Sequence, residues 1–162
     1  MEVDMKDTIK TILFLLTYKC NLKCKYCFYN INDMQPNGIK DEKQDRQELT
    51  LDEIDRFILQ PAKKSKVKRI IFSGGEPMIR KDILQLLRKT IEYGMKCILQ
   101  SNLTLDIDNL LNDELVMNNV YFRVSLDGIE EQNDKVRGMG AYNKTNNNIS
   151  KILKYYDIVN IG

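Results

Sequence analysis

The chain of 162 residues has no histidine and only four cysteines, Cys20, Cys24, Cys27 and Cys97. A closed structural zinc site takes four ligands, so without imidazole it would have to recruit all four of these thiols. Net charge is also scarce: 25 lysines and arginines against 23 aspartates and glutamates leave +2. That excess is too small to argue for a nucleic-acid or membrane-surface partner. Long apolar runs are missing, the longest being the five residues Ile12-Leu13-Phe14-Leu15-Leu16, and Glu2, Asp4 and Asp7 crowd the N-terminus. Neither a membrane span nor a signal peptide is read there, and a reducing cytoplasm is the expected location. Thiols in such a compartment more often bind metals or catalyse than form disulfides. There are no low-complexity tracts and no near-identical repeats.

What is present points to one globular unit. Apolar residues make up 43% and charged residues 30%, which suits a domain with a real core rather than a disordered chain. Cys20, Cys24 and Cys27 follow the apolar run at C-x3-C-x2-C spacing. Three thiolates on one short loop can hold three irons of a 4Fe–4S cluster and leave the fourth iron open to a substrate or cofactor. Zinc is the lesser reading of the same triplet. Cys97 falls near the start of a later strand, about 10–15 Å from the loop end at the strand rise of about 3.3 Å per residue, and reads as a small core residue.

Taken in order, the pattern alternates strand and helix. Ile12 to Leu16 reads as the first strand, and Asn30 to Glu48 as a polar surface excursion. Thr50-Leu51-Asp52-Glu53 matches a capping box opening a helix with Ile54, Phe57 and Ile58 on one face and Pro61 near its end. Val67 to Ser73 is the second strand. The segment before it, Lys63-Lys64-Ser65-Lys66-Val67-Lys68-Arg69, reads as a solvated approach, with phosphate binding the minority alternative. Arg80 to Tyr93 is helical, Lys96 to Ser101 is strand three, and Asn109 to Met117 is a short helix. Val120 to Leu126 is strand four, Ile129 to Lys144 a polar loop, Thr145 to Tyr156 a helix, and Ile158 to Ile161 a fifth strand. Such alternation argues for an α/β fold with a parallel sheet, whose chemistry sits after the C-terminal ends of the strands.

The unusual residues fall in those places. Gly74 and Gly75 let a ligand approach the backbone, and Glu76 offers a carboxylate to an ammonium group; equally, they form a tight strand-to-helix turn. Ser101, Asn102, Ser125 and Asp127 offer polar side chains, or simply stabilise turns. Arg137 can pair bidentately with a carboxylate or sit on the surface. Tyr26, between two of the cysteines, can shield a cluster.

Together, Cys-Asn-Leu-x-Cys-x-Tyr-Cys, Gly-Gly-Glu-Pro after the second strand, Ser-Leu-Asp-Gly and Asp-x-x-Arg-Gly-x-Gly resemble the radical S-adenosylmethionine (SAM) superfamily. They are most similar to its peptide and protein maturases, which include the anaerobic sulfatase-maturating enzymes. The resemblance implies a parallel partial (β/α) barrel, truncated here at about the fifth strand, with residues 1–162 forming one incomplete core that lacks its last strands and any SPASM domain. It implies a 4Fe–4S cluster on Cys20, Cys24 and Cys27, with Tyr26 beside the adenine of SAM. Gly74, Gly75 and Glu76 would meet the methionine amino group, and Ser125 the ribose or carboxylate. Asn102 and Asp127 would lie nearby, and Arg137 would hold the carboxylate. The implied partners are a peptide or protein substrate and an external flavodoxin- or ferredoxin-type electron donor, and the implied chemistry is reductive cleavage of SAM to a hydrogen-abstracting 5′-deoxyadenosyl radical. The alternative is a non-catalytic module, or partner subunit, that keeps the cluster or SAM site. Two positions depart from the family pattern. Asn133 stands where a histidine is common, and Ser101-Asn102-Leu103 replaces Thr-Asn-Gly, which makes any positive φ at Leu103 costly.

Overall fold

The computed structural model describes residues 9–27, 47–154 and 160–161. Strands β1 (Thr11–Thr17), β2 (Arg69–Gly74), β3 (Lys96–Ser101), β4 (Val120–Val124) and β5 (Asn160–Ile161) lie side by side in chain order. Every neighbouring pair is parallel and the sheet does not close, the open form of the expected partial barrel. Most of the excursion expected over residues 30–48 lies outside the described residues, as do residues 155–159 before β5.

Period-two alternation sets the two faces of the sheet. Ile70 and Phe72 on β2, Cys97 and Leu99 on β3, and Val120, Phe122 and Val124 on β4 are all buried against the helices. Each large side chain so buried contributes about 1.5–3 kcal/mol. Cys97 is among them at 0% exposure, the core role expected of it. On the other face the register aligns Leu13, Ile71, Ile98 and Tyr121 in one row. That row is open to solvent, with Leu13 61% and Tyr121 40% exposed.

Helix α1 spans residues 51–64 and opens on the Thr50–Glu53 capping box. Its middle, Asp55–Leu59, is a π turn, which corrects the expected face. Ile54 and Leu59 are buried five residues apart, while Phe57 is 57% exposed. Pro61 supplies the reason: it has no N–H, and its ring would clash with the carbonyl four residues back in a regular helix. The wider turn removes that conflict and rotates the buried face.

A 3-10 turn, Pro77–Ile79, precedes α2 (Ile83–Glu92). The latter starts later than expected because Arg80 is held by Asp82 (2.9 and 2.7 Å) outside the helix. The one short helix expected next is two, α3 (Asp108–Leu111) and α4 (Glu114–Asn119), divided where Asp113 caps α4 through the Val116 amide. The expected loop after β4 holds a helix, α5 (Glu130–Arg137), followed by α6 (Ala141–Leu153). The Asp134 carboxylate accepts from the Gly140 and Tyr142 amides at 2.6 and 2.8 Å, which starts α6 four residues before the periodicity of its apolar residues shows.

Candidate active site at the strand C-terminal ends

The exits of β1 and β2 are stitched together by backbone. The Gly75 amide donates to the Thr17 carbonyl (2.7 Å) and the Glu76 amide to that of Lys19 (2.8 Å). A Cβ on Gly74 would lie 2.3 Å from the Thr17 oxygen, and one on Gly75 2.2 Å from the Lys19 oxygen. The two glycines therefore admit the start of the cysteine loop; close approach of protein backbone, rather than of a ligand, is what requires them on that side.

Glu76 is 0% exposed. Its carboxylate accepts from the Met78 amide (3.0 Å), the Ser101 hydroxyl (2.8 Å) and the Asn102 amide (2.8 Å), so it ties the exit of β2 to that of β3. Burial pushes its carboxyl up from the ordinary value, against the lowering effect of those three donors. Asn102 in turn donates to Asn21 Oδ1 (2.9 Å) and reaches Cys20 Sγ (3.8 Å) inside the cysteine loop. Beside it, Leu103 has φ +54° with its side chain fully buried. The residue that replaces the family's glycine thus adopts the left-handed conformation all the same. Ser101 Oγ accepts from its amide (2.8 Å) and Asn148 donates to its carbonyl (3.0 Å), which holds it there.

The other side of the loop is tied to β4 and α5. Tyr26 donates to Asp127 Oδ2 (2.6 Å), Arg137 Nε donates to the same oxygen (2.6 Å), and Arg137 Nη2 donates to the Tyr26 oxygen. The Lys25 amide donates to the Val136 carbonyl (3.1 Å). Fully buried Asn133 accepts from the Asp127 amide (3.1 Å), fixing the loop that carries this carboxylate.

These ties enclose a cavity of about 360 Å³. Cys20, Cys24, Cys27, Tyr26, Gly74, Gly75, Asn102, Ser125 and Arg137 line it, as do Ser73, Gln100 and Ser101. Nine of the eleven expected site residues thus meet at one place. Glu76 and Asp127 stand behind the wall, holding residues that line it. Ser73 and Gln100 were not among the expected residues, yet alternation could have found them: each is a polar residue near the C-terminal end of its strand, and Gln100 shares its face with Ile98.

All three thiols of the loop are free, and burial pushes those of Cys20 and Cys24 up. Among the described residues, no three cysteine or carboxylate side chains converge on a single point as one metal ion would require. A zinc ion would demand that convergence, its Zn–S bonds being about 2.3 Å long. A 4Fe–4S cluster takes each thiolate on a different iron and makes no such demand. A soft, three-thiol donor set beside an adjoining cavity fits a cluster with one open iron.

A thiol-lined cavity across the C-terminal ends of a parallel α/β sheet defines the class. The family model for the Radical SAM superfamily matches residues 14–161, and the chain belongs to that superfamily, whose cofactors are SAM and a 4Fe–4S cluster. It is 37% identical over 140 residues to Fe-coproporphyrin III synthase of Methanosarcina barkeri, covering 85% of this chain and 32% of that protein. Its fold matches anSMEcpe with bound AdoMet at a TM-score of 0.71 and 21% identity, over 94% of this chain and 42% of that one. Streptococcus suis SuiB bound to precursor peptide SuiA matches at 0.63 and 22%, over 91% of this chain and 30% of that one. At these identities the structural likeness is one of fold. The chain spans about a third of the length of the curated relatives it matches. Among the described residues no helix is long and apolar enough to cross a membrane.

Proposed function

We propose that this chain is the SAM-cleaving core of a radical enzyme that modifies a peptide or protein. The observation that carries the reading is the single cavity shared by Cys20, Cys24, Cys27, Ser125 and Arg137. In it, the three thiolates would ligate the cluster, and Arg137 and Ser125 would hold the anionic and polar ends of SAM. Tyr26 would cover one side, with Gly74, Gly75 and Asn102 forming the floor. Glu76 and Asp127 act through their neighbours: one fixes the β3 exit, the other orients the arginine. With both cofactors bound and an electron from a flavodoxin- or ferredoxin-type donor, the chemistry supplied is reductive cleavage of SAM to methionine and a hydrogen-abstracting 5′-deoxyadenosyl radical. The protein's part is placement and exclusion of water.

The peptide reading rests on the Ser-Leu-Asp-Gly and Asp-x-x-Arg-Gly-x-Gly wording and on a fold neighbour seen with a peptide. A tetrapyrrole is the second reading, favoured by the 37% identity to an Fe-coproporphyrin III synthase. The test is anaerobic reconstitution with iron and sulfide, then dithionite and SAM, scored for 5′-deoxyadenosine with a peptide or a tetrapyrrole precursor of Fe-coproporphyrin III added. Product that Cys24→Ala cannot make supports the SAM-cleaving reading, and whichever substrate raises its yield names the class. A brown, iron-loaded protein that makes none supports a non-catalytic module or partner subunit. Full iron in Cys24→Ala overturns the ligand assignment.

A further inference from the structure

At the opposite end of the strands lies a second cavity, of about 560 Å³, lined by Lys10, Lys68, Arg69, Gly94, Lys96, Ile98 and Tyr121. Among the described residues its lining carries four cations and no carboxylate. They come from three segments: Lys10 just before β1, Lys68 and Arg69 at the start of β2, and Lys96 at the start of β3. Backbone hydrogen bonds lock those segments together. The Lys68 and Arg69 amides both donate to the Lys10 carbonyl (3.0 and 3.1 Å), and the Lys96 amide to that of Lys68 (2.9 Å). Arg69 and Lys96 are direct partners across the β2–β3 ladder, where like charges oppose pairing. None of the four has an ion-pair partner among the described residues. The structure thus fixes mutually repelling charges around a concavity, which focuses a positive potential into it.

We propose that this cavity is a binding site for a phosphate-bearing anion carrying at least two phosphate groups. Three point-charge ammonium groups and one guanidinium fork suit several phosphates better than a single carboxylate. The volume is that of a small-molecule site. Tyr121, 40% exposed, offers a ring beside the cations, with Lys96 Nζ 5.7 Å from its centroid, so the phosphates can belong to a free polyphosphate or to a nucleotide. Of the basic run at 63–69, only Lys68 and Arg69 reach this cavity; Lys63 lies over the Tyr93 ring instead. Arg69 and Gly74 stand at opposite ends of β2, about 16 Å apart at the parallel-strand rise, so the anion site is separate from the cysteine-lined cavity.

The test is titration calorimetry of the full chain with inorganic tripolyphosphate, ATP and adenosine at increasing potassium chloride. Tripolyphosphate and ATP are expected to bind, with affinity falling as salt rises, and adenosine not to bind. Lys68→Ala/Lys96→Ala should weaken both anions at least tenfold. Arg69→Gln, which keeps a long polar side chain, should weaken them less and serves as a second variant; thermal melts check that each variant folds. Arg137→Ala, at the other end of the strands, should leave the binding unchanged. Tighter ATP than tripolyphosphate, with the difference lost in Tyr121→Ala, would identify a nucleotide; equal binding would identify the phosphates alone as the recognised group. Absence of binding by both anions overturns the proposal, as does unchanged binding in the double variant or loss of binding in Arg137→Ala.

Discussion

The amide of Asn102 donates to Glu76 Oε2 at 2.8 Å, joining the end of β3 to a fully buried carboxylate at the end of β2. Glu76→Gln keeps the shape but replaces one acceptor oxygen with a donor, so the bond from the Asn102 amide or that from the Met78 amide must fail. The expected loss is about 2 kcal/mol, read by urea denaturation.

The same side chain gives a pH signature. Burial raises its carboxyl above 4.5, so the native state binds this proton at higher pH than the unfolded chain does. Its contribution to stability is complete below 4.5 and is lost as pH rises through the raised folded value. Relative to Glu76→Gln, the wild type should therefore gain stability on acidification from neutrality towards 4.5, then level off. Denaturation midpoints of both proteins across that window check the sign.

Gly75→Ala should be far more damaging than Gly94→Ala. The first puts a methyl 2.2 Å from the Lys19 oxygen and 2.8 Å from that of Tyr18, both backbone atoms that cannot rotate away. The second meets open space and bears only the cost of φ +78°. About 3 kcal/mol against about 1 kcal/mol is expected from thermal or urea unfolding.

Leu103→Gly sets two effects against each other. Removing the Cβ relieves about 1–2 kcal/mol of left-handed strain, but emptying a fully buried leucine site costs about 2–5 kcal/mol. At the middle of both ranges burial wins, and a net loss of about 2 kcal/mol (about 0–4 kcal/mol across the ranges) in a urea titration is expected despite the glycine of the family pattern.

Tyr26 ionises at about 12, held up first by burial and then by its hydrogen bond to Asp127, with Arg137 working the other way. Asp127→Asn removes the negative charge and weakens that acceptor, so the phenol should titrate nearer 10. The difference in alkaline absorbance between each protein and its own Tyr26→Phe derivative isolates this one ring. An unchanged midpoint would contradict the role given to Asp127.

The strands, and the places where their polar ends fall, were legible in the residue pattern. Period-two runs such as Val120, Phe122 and Val124 carry that information locally, and the C-x3-C-x2-C spacing of Cys20, Cys24 and Cys27 is a local pattern too. Helix α5 was not legible, because Glu130–Arg137 is almost wholly polar and its one deeply buried side chain, Asn133, is an amide. Phe57 misled for a similar reason: the apolar pattern assumes a regular helix, and the π turn before Pro61 is not regular. The folded arrangement turns Glu76 into the protein to join two strand ends, and uses Gly74 and Gly75 to make room for backbone. It alone gathered Lys10, Lys68, Arg69 and Lys96 around one cavity. Each of these depends on contacts between segments far apart in the chain, and such distances are set by the register of β1, β2 and β3 rather than by any local residue pattern.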